Sequence, residues 1–121
     1  MAGYQGGGGG GAGAAPSLTW SFPGTISTDQ NPNIPRYQFK VASSFGNWDV
    51  KSVSAPSGGD MTVTFKKNGA TIATVVLLDG DTYATVAAAV SFAVDDVLYP
   101  EISSLGGASS PPTTLLMRAR A

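Results

Sequence analysis

The seventeen residues Met61-Thr-Val-Thr-Phe-Lys-Lys-Asn-Gly-Ala-Thr-Ile-Ala-Thr-Val-Val-Leu77 decide the fold class. Met61, Val63 and Phe65 alternate with Thr62, Thr64 and Lys66, the period of a half-buried strand. The run stops at Asn68-Gly69, two residues that accept positive φ and so suit a type I′ turn between twisted antiparallel strands. Beyond it, Thr71 to Leu77 is rich in β-branched residues, which pack well on a pleated surface. The spacing predicts a hairpin with Asn68 and Gly69 at its tip.

The same period extends in both directions. Leu18, Trp20 and Phe22 share one face of a strand from Ser17 to Pro23. Asp29 to Pro35 reads as an irregular loop, because proline lacks an N–H and restricts its predecessor. A second strand is expected from Arg36 to Ala42, with Tyr37, Phe39 and Val41 on one face. A turn is expected at Phe45 to Asn47 and a third strand from Trp48 to Val53. Tyr83 to Val94 contains three consecutive alanines that suit a helix, yet Val86, Val90, Phe92 and Val94 keep the β period. A strand from Val97 to Ser103 carries Pro100, which belongs at an edge or a bulge. After the Ser104 to Pro112 loop, Thr113 to Ala119 closes the series. These strands predict an all-β fold: an antiparallel jelly-roll or Greek-key sandwich of seven to eight strands over residues 17–121.

Residues 1–16 differ in kind. Tyr4 and Gln5 lead into six glycines, Gly6, Gly7, Gly8, Gly9, Gly10 and Gly11. Glycine has no side chain to bury and loses the most backbone entropy when fixed, so the segment is expected to be an attachment arm held by another subunit. A phosphate loop would need a following Gly-Lys-Ser/Thr and a helix, and neither is present.

Composition narrows the chemistry. The 121 residues hold no cysteine and no histidine, which removes disulfides, thiolate zinc sites, His-ligated metals and Ser-His-Asp catalysis. Seven Lys and Arg against eight Asp and Glu give a net charge of −1 and no basic stripe, so nucleic acid is not an expected partner. Charged residues are 12% of the chain, half the usual ~25%, which suggests a surface partly covered by neighbours in a homo-oligomer. No apolar run spans a bilayer, and the chain reads as soluble and unprocessed. Asp60, Asp79, Asp81, Asp95 and Asp96 fall where strands meet loops, where aspartate bonds the local backbone. Asp79-Gly80-Asp81 is the one cation candidate, without the further ligands of an EF-hand loop. No enzyme activity and no cofactor are expected.

Trp20, Tyr37, Trp48, Tyr83 and Tyr99 are the residues able to stack on a sugar ring. At alternating strand positions such rings are more often core or subunit contact, because they bury a large apolar area; Trp48, beside the expected turn, and Tyr99 are the candidates for glycan or subunit contact. Arg118 and Arg120 are candidates for ion pairs with a neighbouring subunit, or are solvated charges at the chain end.

The stretches LTWSFPGTIS, RYQFKVASS, WDVKSVSAPSGGDMTVTFKKNGATIA, VDDVLYPEISSLGG and LLMRARA together resemble small β-sandwich domains of tailed-bacteriophage virion proteins, of the head-decoration, head-fibre and tail-fibre kinds. The sequence departs from that pattern at Asp95-Asp96, where those domains usually have Gly-Asp, and at Pro100. The resemblance implies a non-catalytic, commonly trimeric jelly roll. It also implies a capsid decoration or head-fibre protein on the virion surface, anchored to capsid or tail proteins by the arm. The alternative is a tail-fibre or lectin-like module that binds host glycan.

Overall fold

The computed structural model describes residues 2–4, 17–106 and 110–121. Its strands are β1 (Ala2–Tyr4), β2 (Ser17–Thr25), β3 (Tyr37–Gln38), β4 (Ser43–Ser54), β5 (Met61–Lys67), β6 (Ala70–Leu77), β7 (Tyr83–Phe92), β8 (Val97–Ser104) and β9 (Thr113–Arg120). Two antiparallel four-stranded sheets, β2-β9-β4-β7 and β3-β8-β5-β6, face each other, and β1 adds three residues to the free edge of β2. The expected sandwich is therefore present.

Period-2 alternation builds the core. Leu18 and Trp20 of β2, Trp48 and Val50 of β4, and Leu115, Met117 and Ala119 of β9 point inward from one sheet. Met61, Val63, Phe65, Val75, Leu77, Leu98 and Ile102 meet them from the other. At one end an aromatic cluster spans both layers: Phe39 stacks on Phe92 at 4.5 Å, and Trp48 lies 5.0 Å from Phe65.

Asn68 and Gly69 close the β5–β6 hairpin with φ of 52° and 89°. The Asn68 side chain then reaches the β7–β8 turn, donating to Asp96 Oδ1 at 2.9 Å and accepting from the Val97 N–H at 2.9 Å. Asp96 also accepts from the Ala93 N–H at 2.8 Å, and these two hydrogen bonds, Asn68 first, hold its carboxyl below the usual carboxylate value. Asp95 takes φ 76° there, a conformation aspartate tolerates better than most residues. Gly69→Ala should destabilise the hairpin by ~1 kcal/mol, measurable by urea unfolding, through conformation alone. A Cβ there meets nothing within 4 Å.

Three expectations are corrected. Phe45 to Asn47 is not a turn. It lies inside β4, where the pairing with β7 shifts register between Phe45 and Asn47. This bulge lets Phe45 and Trp48, three residues apart, both point inward, which a regular strand forbids. The strand expected from Arg36 to Ala42 pairs only at Tyr37–Gln38, and Val41 is exposed. Within Asp29 to Pro35, most of the expected loop is a 3-10 turn, Thr28–Asn33, opened by a Ser27/Gln30 capping box.

Pro100 sits opposite Phe65 in β8, with β3 pairing ending at Leu98. Two residues further on, the Asn31 amide takes a strand's place: it accepts from the Ile102 N–H at 2.8 Å and donates to the Ile102 carbonyl at 2.9 Å. Pro100 therefore falls between two short partners, where a missing N–H breaks no ladder.

Candidate functional site

The outward residues of the β2-β9-β4-β7 sheet fall into rows set by register. One row is Ser21, Leu116, Lys51 and Tyr83; the next is Thr19, Arg118, Asp49 and Thr85; the third is Ser17, Arg120, Asn47 and Ala87. Asp49 lies at the middle of this surface. Although it points away from the core, it is 1% exposed, because longer side chains from both neighbouring strands fold over it.

Its two oxygens are fully engaged. Oδ2 accepts from Arg118 Nε at 3.0 Å, Arg118 Nη2 at 2.9 Å and Arg120 Nε at 2.6 Å. Oδ1 accepts from Thr85 Oγ1 at 2.6 Å, Arg120 Nη2 at 3.3 Å and the Tyr83 hydroxyl at 3.4 Å. Burial pushes the Asp49 carboxyl up, but hydrogen bonds from Arg120, Thr85 and Arg118, with the charge of Arg120, outweigh it and bring it below 3.8. Arg120 is correspondingly raised by its bond to Asp49.

A group whose folded value is depressed stabilises the fold above its unfolded value, and that contribution disappears as pH falls through the folded one. Stability from Asp49 should thus be complete at neutral pH and decline below 3.8. Melting temperatures of the wild type and Asp49→Asn, taken between about pH 6 and pH 3, should converge toward the acid end.

Beside this cluster lies a shallow open groove of about 190 Å³, lined by Lys51, Ser52, Val53, Thr114 and Leu116. Val53 and Tyr83 are among the exposed large apolar residues, at 74% and 46%. Thr114 has φ 53°, which is costly for a β-branched side chain and often marks a functional surface. The face thus offers an aromatic ring, an apolar trough and two oriented guanidiniums.

The residues singled out from sequence are distributed differently. Trp48 is buried, with its indole N–H donated to the Ala88 carbonyl at 2.8 Å, so it is a core residue and contacts neither glycan nor subunit. The ring of Tyr99 is covered by the Arg36 guanidinium at 3.8 Å. Arg118 and Arg120 both pair with Asp49 of their own chain, so neither stands as an unpaired charge, while each side chain stays more than a third exposed. Tyr4 lies in β1, paired with Leu18 of the same chain; Gln5 and Gly6 to Gly11 lie outside the described residues. Asp79 accepts from the Gly58 N–H at 3.2 Å, and Asp60 accepts from the Asp79 N–H at 2.8 Å, the loop-bracing role expected of them. No group of three metal-ligating side chains occurs among the described residues.

Asp49 was not anticipated. Its signal in sequence is a lone carboxylate between Trp48 and Val50 in a strand, but its partners are 69 and 71 residues away.

No protein-family model matches the chain, and no curated protein matches it. Among solved structures it is similar to the GH26-CBM35 β-(1,4)-mannanase of Podospora anserina, at 13% identity and TM-score 0.44, over 99% of this chain and 25% of that one. It is also similar to a family 35 carbohydrate-binding module from an environmental isolate, at 10% identity and TM-score 0.44, over 88% of this chain and 71% of that one. A third is the family 35 module of Clostridium thermocellum, at 7% identity and TM-score 0.40, over 96% and 86%. The chain spans a quarter of the Podospora enzyme. These are likenesses of architecture. They overturn the resemblance to bacteriophage virion proteins, since the β-sandwiches it is similar to are carbohydrate-binding modules, and the capsid-decoration and head-fibre reading is withdrawn.

Proposed function

We propose that the chain is a non-catalytic carbohydrate-binding module whose ligand lies across the outer face of the β2-β9-β4-β7 sheet. The observation that carries this reading is Asp49, buried on an outward face and holding Arg118, Arg120 and Tyr83 in place beside an open apolar groove. A sugar ring presents an apolar C–H face and a polar edge. Its recognition calls for an aromatic or aliphatic platform with a few donors already oriented, so that little side-chain entropy is lost on binding.

Tyr83, Leu116 and Val53 supply the platform, and the guanidiniums supply planar, paired donors. Four of the eight carboxylates are engaged within the fold: Asp49 by arginines, and Asp60, Asp79 and Asp96 by backbone N–H groups.

Tyr83→Ala should weaken binding to a retained polysaccharide about tenfold, from loss of ring contact. Affinity electrophoresis against a polysaccharide panel measures this, and the half-exposed position predicts an unchanged fold. Equal retardation of the variant and the wild type, or no retardation of either, would sink the reading.

A further inference from the structure

We propose that Asn68-Gly69 is a modification site at which slow deamidation works as a switch: the Asn68 carboxamide clasps the β5–β6 tip to the β7–β8 turn, and its loss releases that clasp. Main chain and side chain of Asn68 both serve the clasp. Its N–H donates to the Val97 carbonyl at 2.9 Å, its Oδ1 accepts from the Val97 N–H at 2.9 Å, and its Nδ2 donates to Asp96 Oδ1 at 2.9 Å. None of these residues lines the groove of the proposed glycan face.

Asparagine is a chemically labile residue, and sequence and geometry together single out this one. Of the four asparagines, Asn31 precedes Pro32, which has no N–H to give up, and Asn33 and Asn47 precede the bulky Ile34 and Trp48. Only Asn68 is followed by glycine, so no side chain shields the next nitrogen. The Gly69 N–H has no hydrogen-bond partner among the described residues, whereas in the comparable Asp79-Gly80 pair the Gly80 N–H is donated to the Pro56 carbonyl at 3.0 Å. The reaction consumes only water. The Gly69 nitrogen gives up its proton and bonds to Asn68 Cγ, the Cγ–Nδ2 bond breaks, and Nδ2 leaves as ammonia carrying that proton. Water then opens the cyclic imide and returns a proton to the Gly69 nitrogen. Attack at Cγ gives aspartate, and attack at the main-chain carbonyl gives isoaspartate.

While the clasp is closed, both ends of the carboxamide are bonded to the neighbouring turn, so ring closure onto Gly69 waits for a local opening. Afterwards the clasp cannot re-form. An aspartyl side chain at this position has no donor for Asp96, and it sets a second carboxylate against one already held in its charged form. Lys67 is the neighbouring cation, 3.6 Å from Asp96 Oδ2, and its ammonium is shared with the Ser91 carbonyl at 2.8 Å. One positive charge would then face two carboxylates. Isoaspartate adds a carbon to the main chain of a two-residue turn closed at φ of 52° and 89°, and the flanking strands lose the geometry that fixes their register.

The test incubates the intact folded chain at physiological temperature and neutral pH and follows Asn68 by peptide mass mapping, with the urea-unfolded chain as the reference. The folded chain should convert about ten- to a hundredfold more slowly than the unfolded one. Asp96→Ala, which removes the acceptor of Nδ2, should speed conversion in the folded chain by about threefold or more. Asn68→Asp makes the product directly and should lower the melting temperature by about 5 °C. The loss should exceed that of Asn68→Gly, which keeps the positive φ without the charge, and added salt should narrow the difference. Equal rates in folded and unfolded chains would overturn the protection by the clasp, and a folded chain still unconverted after months would overturn the switch. So would an Asn68→Asp variant that melts with the wild type. Should that variant fail to fold, the converted fraction of aged wild type, separated by ion exchange, is melted beside the unconverted one, and identical curves would overturn the proposal.

Discussion

Trp48→Ala is expected to cost about 3 to 5 kcal/mol of folding stability, enough to leave a domain of this size close to unfolded at 37 °C. The indole is fully buried and joins the two layers: Phe65 of the opposite sheet lies 5.0 Å away, with Phe45 at 6.2 Å and Phe92 at 6.5 Å in its own. Alanine would leave a void between sheets whose backbones are fixed by their ladders, so the site collapses only in part. It would also strip the Ala88 carbonyl of its indole donor. Urea unfolding monitored by circular dichroism gives the number. A loss below about 1 kcal/mol would mean that the aromatic cluster repacks around the gap. Trp48→Phe, which keeps the ring and loses the N–H, should cost less, about 1 to 2 kcal/mol.

The second large effect comes from a charge rather than a void. Asp49→Ala should cost about 2 to 4 kcal/mol, because removal of the carboxylate leaves two guanidiniums facing each other with no counter-charge. The figure sits below that for a fully enclosed ion pair because both arginine side chains are more than a third exposed and water screens them. At neutral pH the melting temperature should fall by roughly 10 °C or more. Asp49→Asn keeps the volume and one acceptor, so it should fall between the wild type and the alanine variant. Added salt should recover part of the loss in both, since the residual penalty is repulsion. Should Asp49→Ala melt with the wild type, the pairing seen across β4 and β9 would carry no weight, and the oriented guanidiniums of the proposed site would lose their support.

Local rules give most of the strands and miss the site. The Asn68-Gly69 hairpin is written in adjacent residues, and Tyr83–Phe92 keeps its alternation through three alanines. Phe45-Gly46-Asn47 misleads because a glycine in a strand reads as a turn, whereas here it accompanies a bulge that turns Phe45 inward beside Trp48. A turn there would put Trp48 at a loop rim, which is what makes it a sugar-stacking candidate by sequence; the bulge instead keeps it in the core. Asp49, Thr85, Arg118 and Tyr83 meet only through the register of three strands, which no short window of sequence contains. Arg118 and Arg120 stand out in the sequence as a pair, but nothing local supplies their counter-ion, which lies 69 and 71 residues away.

The Asn31 amide on Ile102 also bears on how the molecule behaves among its own copies. A sheet flank with free N–H and C=O groups is a template for a foreign strand, and β3 covers only two residues of β8. Asn31 occupies the next pairing position with a side chain that cannot propagate, because an amide completes one pair of hydrogen bonds and then ends. Pro100 withholds the N–H between them. The flank is thereby capped at three successive outward positions, by residues remote from both the core and the proposed binding face.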